Sequence, residues 1–311
     1  MSDVDSIANI LNNHTFQVVA TGTALLGVFS GVLGVFLTLR KQSLLGDALG
    51  HASLPGIVIG FILTGSKNMF ALLAGATIFG WLASWLINFI SQRNSVVKQD
   101  SALALVLSTF FGLGTALLTS VQKTPNAAQA GLHNFIFGQA SGMLKQEVNV
   151  LIIIGMIILA LVIVFWKEFK IITFDAHFAQ TLPGPYRFFA FLLSLLIVVA
   201  IVMGLESVGV VLISALLVNP AIAARQWSNR MSVVVGLSGL FGGISGLLGT
   251  FLSSTGKQIP TGATIVIVAT CLTIISVCFA PERGLIARRR RSLRRQRQLK
   301  ESLAQEKGES L

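Results

Sequence analysis

Charge is scarce in this chain. Asp, Glu, Lys and Arg make up only 11% of its 311 residues, against about 25% in an ordinary soluble domain. With 53% apolar residues and a mean hydropathy of +0.79, that deficit excludes a water-soluble globular protein. Cysteine is almost absent. Cys271 and Cys278 stand seven apart in one apolar run, about 10 Å along a helix, which is out of disulfide reach. No nucleotide-binding loop is present. Gly256-Lys257 is followed by Gln258 and lacks the spaced upstream glycine, so the chain carries no ATPase motif and is not expected to be an enzyme. A basic leader is missing too: the N-terminus holds Asp3 and Asp5, and no cleavable signal peptide is expected.

What is abundant is continuous apolar sequence. The runs are long and unbroken, not alternating segments of about ten residues, so the expected fold is an all-α integral membrane protein rather than a barrel. Nine segments can be marked: 17–39, 44–63, 69–90, 101–121, 148–166, 188–205, 208–224, 231–252 and 259–279. Several approach the ~20 residues a spanning helix needs. The second carries Asp47, His51 and Pro55, and the seventh carries Asn219-Pro220. If either is not a simple span, the bundle has eight crossings instead of nine. Residues 1–16 read as an N-terminal segment, 17–286 as the transmembrane domain and 287–311 as a basic tail.

The connections carry the orientation. Arg40, Lys41, Arg93, Lys98, Lys167, Lys170, Arg187, Arg225 and Arg230 fall on one side; Lys67, Lys123, Lys145 and Lys257 fall on the other. The positive-inside rule puts the first set, and the C-terminus, in the cytoplasm. The net charge of +11 comes largely from the tail, which holds Arg288 to Arg291, Arg294, Arg295 and Arg297. Directly behind an apolar span, such a run is expected to lie on anionic membrane lipid and not on nucleic acid.

Two long connections remain. The outer one, 122–147, holds the apolar patch Phe135-Ile136-Phe137-Gly138. The inner one, 167–187, contains Phe174-Asp175-Ala176-His177-Phe178-Ala179-Gln180-Thr181-Leu182. It reads as a short amphipathic helix with Asp175 near its N-terminus, ended by Pro183-Gly184-Pro185. Phe174, Phe178 and Leu182 form one stripe, which suits a docking surface or packing beneath the bundle.

The residues most costly to place are Asp47 and His51. They stand four apart, hence on one helical face. An ionised Asp at mid-membrane costs about 2.5–3.5 kcal/mol on the insertion scale. Carboxylate oxygen and imidazole nitrogen are both ligands for divalent first-row metals. The same pair would also serve as interhelical glue, and the two residues alone leave both readings open. His14, His133 and His177 lie outside the marked spans and read as surface histidines. Asp100 is the expected N-cap of the fourth span, and Glu206 a solvated carboxylate at an outer helix end; both are candidate cap or mouth residues. Gly236, Gly239, Gly242, Gly243, Gly246 and Gly249 form a small-residue cluster suited to close helix packing.

Four stretches carry a family resemblance. The first is Leu39-Arg40-Lys41-Gln42-Ser43-Leu44-Leu45-Gly46-Asp47-Ala48-Leu49-Gly50-His51-Ala52-Ser53-Leu54-Pro55-Gly56. The second is Phe174-Asp175 with Ala179. The third runs from Ser207-Val208-Gly209 to Val218-Asn219-Pro220-Ala221. The fourth is Pro260-Thr261-Gly262-Ala263-Thr264, followed by Phe279-Ala280-Pro281. In this order they resemble the bacterial ABC transporter permeases for zinc, manganese and iron. The chain departs from the family at Pro183, where a glycine is displaced; at Asn219, where an apolar residue or Thr is usual; and in its long Arg-rich tail.

The resemblance implies a bundle like that of type II ABC importer permeases in a bacterial inner membrane. It implies a second permease copy, cytoplasmic ATPase subunits and an extracytoplasmic metal-binding protein. It also implies Asp47 and His51 as metal-pathway residues, and Phe174, Asp175, Phe178 and Ala179 as the ATPase-docking loop. No permanently bound cofactor is expected, only the transported divalent ion. Two other readings compete. A permease for cobalamin or iron-siderophore chelates needs no ion-coordinating pair. An ATPase-independent secondary transporter normally carries several ionisable residues at the midplane, where this chain has one clear pair.

Overall fold

The structure, a computed structural model, describes residues 12–66, 68–93, 97–123, 142–181, 184–255, 259–287 and 289, without the side chains of 92, 93, 176, 177 and 180. His133, the 135–138 patch, Leu182, Pro183, Lys257 and nearly all of the basic tail lie outside these residues. The described residues form helices joined by short turns, with no strand among them. In chain order the helices are α1 His14–Leu39, α2 Leu45–Ala52, α3 Leu54–Thr64, α4 Met69–Arg93, α5 Gln99–Gln122 and α6 Lys145–Val164. They continue with α7 Trp166–Phe174, α8 Ala176–Thr181, α9 Tyr186–Val208, α10 Val210–Trp227, α11 Met231–Thr255 and α12 Thr261–Phe279.

Among the described residues, nine stretches are long and apolar enough to cross a membrane, with α2 and α3 counted together as Leu45–Thr64. All nine expected segments are therefore present. The division at Ser53 is shallow. Ser53 keeps a right-handed helical backbone and its N–H still bonds the Leu49 carbonyl. Pro55 lacks an N–H, so the His51 carbonyl loses its ordinary donor four residues on. In α10, Pro220 lies inside an uninterrupted helix. There Thr273 of α12 donates to the Asn219 carbonyl at 3.0 Å, and the Asn219 amide donates to Thr270 at 3.0 Å. The polar residue at the family's apolar position thus ties α10 to α12.

The centre of the bundle is a seam between antiparallel α1 and α11. A Cβ on Gly27 would strike the backbone of Gly242, one on Gly31 the backbone of Ser238, and one on Gly246 the backbone of Thr23. Glycine lets these two backbones touch, and in lipid such close packing replaces the hydrophobic force that drives helices together in water. Hydroxyls reinforce the seam: Ser238 donates to the Gly31 carbonyl at 2.7 Å, and Thr23 and Thr250 pair at 2.9 Å. A second glycine contact joins α3 to α4 at Gly56 and Gly75.

The expected helix at 174–182 is divided. Helix α7 ends at Phe174, Asp175 adopts an extended backbone, and its Oδ1 accepts the Phe178 N–H at 2.8 Å as α8 begins. The carboxylate competes with the helix for a backbone donor and so starts a new one.

The seam predicts a contrast between two glycines of α11. Gly242→Ala places a methyl against the Gly27 backbone, whereas Gly236 faces open space. Thermal unfolding in detergent should show Gly242→Ala destabilised by about 1–3 kcal/mol, with Gly236→Ala unchanged or slightly more stable. Equal effects would mean that the seam is not closely packed.

Candidate functional site

Helix α2 is eight residues long, and six of them are buried: Leu45, Gly46, Ala48, Leu49, Gly50 and Ala52. The small residues permit this: a Cβ on Gly46 or Gly50 would meet Leu217 or Val210 of α10. The remaining two are Asp47 and His51. Their side chains are 50% and 37% exposed, and His51 Nε2 lies 3.7 Å from Asp47 Oδ1. That distance is an ion-pair approach and not a hydrogen bond. The pair therefore forms the open face of an otherwise enclosed helix. The His51 ring packs edge-on against Phe111, centroids 5.1 Å apart. Phe111 lies halfway along α5, and Ser53, two residues beyond His51, faces Gly80 halfway along α4. His51 thus sits at mid-depth in the bundle.

One carboxylate and one imidazole make an incomplete ligand set. Among the described residues no third His, Cys, Asp or Glu joins them. A single chain can offer an ion two side-chain ligands at this face, with the half-exposed surface left for further ligands.

Phe174, Asp175, Phe178 and Ala179, the expected docking residues, lie at the end of the bundle that carries Arg40, Lys98 and Arg225, here called the basic end. Phe174 and Phe178 are 62% and 54% exposed, while Ala179 is buried and anchors α8. Asp175 is held by its capping bond. The two rings therefore stand on a short, fixed platform.

Two candidates differ from expectation. Asp100 is not the N-cap of α5: Lys98 holds that place and Asp100 is exposed in the first turn, where its charge suits the helix dipole. That turn is at the basic end. Glu206 is not a freely solvated end residue. It is half-buried in the last turn of α9, and its Oε2 is fully enclosed without a hydrogen-bond partner among the described residues. His14 is the exposed first residue of α1.

Sequence reading missed a cleft of about 560 Å³ at the basic end. It runs between the end of α1, α4, α7–α8 and the start of α9, and Arg40, Lys41 and Arg187 line it. Burial draws the Arg40 guanidinium below its ordinary value. The sequence signal was available: Arg40 directly follows an apolar span, but nothing in its neighbours tells that the turn folds inward.

Comparisons with known proteins agree with this geometry. The model of the ABC 3 transport family matches residues 12–280. The chain is 46% identical over 287 residues to the manganese transport system membrane protein MntC of Bacillus subtilis. That match covers 92% of this chain and 66% of the relative, so the chain spans just under two thirds of that protein's length. It is 43% identical to the zinc transport system membrane protein TroC of Treponema pallidum, covering 90% of this chain and 94% of the relative. Among solved structures it resembles PsaBC from Streptococcus pneumoniae in complex with Fab, with a TM-score of 0.77 and 30% identity over 90% of this chain and 97% of that one. The family match and the helical architecture together place this chain in the ABC 3 transport family.

Proposed function

We propose that this chain is the permease of an ABC importer for a divalent transition-metal ion, manganese or zinc with ferrous iron as a third candidate. The observation that carries the reading is the Asp47–His51 pair, alone on the open face of α2, with His51 at mid-depth. Two copies related by a two-fold axis would bring two pairs to one central pathway. That supplies up to four side-chain ligands, enough for zinc, and leaves room for water around manganese. Incomplete coordination suits an ion that must also be released. Pro55 supports the same role, since its missing N–H weakens the helix directly beyond His51. A bulky chelate would have no use for an imidazole–carboxylate pair, and the single clear pair argues against ion-coupled secondary transport.

The basic end is the cytoplasmic end on this reading, with the C-terminus inside. Separate ATPase subunits dock on Phe174, Phe178 and the α8 platform, and an extracytoplasmic metal-binding protein delivers the ion to the opposite end.

Asp47→Ala and His51→Ala should each lower metal uptake by reconstituted complexes to background, while the ATPase still co-purifies. Normal uptake by either variant would remove the pair from the pathway, and loss of assembly would make it interhelical glue.

Phe174→Asp with Phe178→Asp should sharply reduce ATPase co-purification without changing the thermal stability of the permease. Full transport by that double variant would show the loop to be structural only.

A further inference from the structure

The cleft at the basic end has a charge pattern that the transport reading leaves unused. Among the described residues its lining includes three cations and no carboxylate. Among the described residues the side chains of Arg40, Lys41 and Arg187 have no hydrogen-bond or ion-pair partner. The nearest acid in sequence to the lining, Asp175, is occupied by the Phe178 N–H. Arg40, drawn into the cleft without a partner, calls for an anion, and the exposed Lys41 and Arg187 beside it add charge of the same sign.

The backbone holds one of these cations at some cost. Helix α1 ends with Lys41 N–H bonded to the Thr38 carbonyl and Gln42 N–H bonded to the Leu37 carbonyl. This is the Schellman arrangement, whose left-handed residue is usually glycine. Here it is Lys41, with φ of 59°, an uncommon choice for a side chain with a Cβ.

The surroundings identify the anion's carrier. Trp81, Trp85 and Tyr186 line the cleft, and such amphipathic rings gather at headgroup depth. From its rim, Ile78, Leu82, Trp85 and Phe89 run along one face of α4, all exposed. Their spacing of four, three and four is one helical stripe, about 16 Å long. An anionic head joined to an apolar tail matches a cationic cleft continued by an apolar track. A free anion would not need the track. An acidic side chain from an ATPase would not need it either.

We infer that this cleft binds the phosphate headgroup of an anionic phospholipid, whose acyl chains lie along α4. The site adjoins α7–α8, since Phe174 and Ala179 also line it, so the lipid would brace the docking platform. The inference takes from the transport reading only the placement of the basic end at the inner leaflet, and its test does not involve metal or uptake.

Native mass spectrometry of the purified full chain would compare phosphatidylglycerol, phosphatidylcholine and inorganic phosphate as probes. Phosphatidylglycerol should be retained in preference to phosphatidylcholine. Arg187→Gln and Lys41→Gln, both at exposed positions, should each weaken that retention on the order of fivefold, and Arg40→Gln with Arg187→Gln should lose it. Replacing Arg288 to Arg291 by Gln should leave the tightly held lipid in place. Four results would overturn the proposal: equal retention of both lipids, binding of inorganic phosphate alone, loss only in the tail variant, or cleft variants that keep the lipid and lose the ATPase.

Discussion

A carboxylate within an otherwise apolar span is the constraint around which this bundle is arranged. Ionised Asp47 costs a few kcal/mol there unless water, a cation or a polar partner meets it. The fold keeps His51 beside it at 3.7 Å and leaves the face they share open, while every other side of α2 is packed. That packing depends on Gly46 and Gly50, which let α10 approach. The site is thus defined as much by the residues that close the helix as by the two that remain accessible.

The rest of the bundle supplies a rigid frame for that open face. Seam contacts between α1 and α11 are backbone on backbone, with hydroxyls turned across the interface. Lipid offers no hydrophobic drive between helices, so contact of this kind must do the holding. Helix α1 then hands its C-terminus directly to the turn that begins α2. Motion in a transport cycle would be easiest where helical bonding is thinnest, at Pro55 between α2 and α3 and at Asp175 between α7 and α8.

Much of this was legible in the sequence because membranes impose simple rules. Apolar run length gave all nine candidate spans, and Asp47 with His51 stood out because ionisable residues are rare in such runs. The glycine cluster announced close packing, although only the structure names α1 as its partner. Harder features depend on tertiary placement. Asp100 fits an N-cap by residue type, yet the N-cap is Lys98, two residues earlier. Glu206 lies at a helix end, where solvation is the ordinary expectation, but neighbouring chain encloses one of its oxygens. Arg40 reads as a boundary charge, and the cleft around its turn is completed by α4 and α9, which are distant in sequence. At Asp175, a side-chain bond to Phe178 N–H divided what periodicity reads as one helix.

The central claim is that the α2 faces of two chains hold the ion in transit. Anomalous diffraction from crystals of the full complex soaked with manganese or zinc tests it most directly. The account predicts a metal peak on the two-fold axis, about 2.0–2.2 Å from the Asp47 carboxylate and the His51 ring. A well-occupied peak elsewhere in the membrane region, with this face empty, would contradict it.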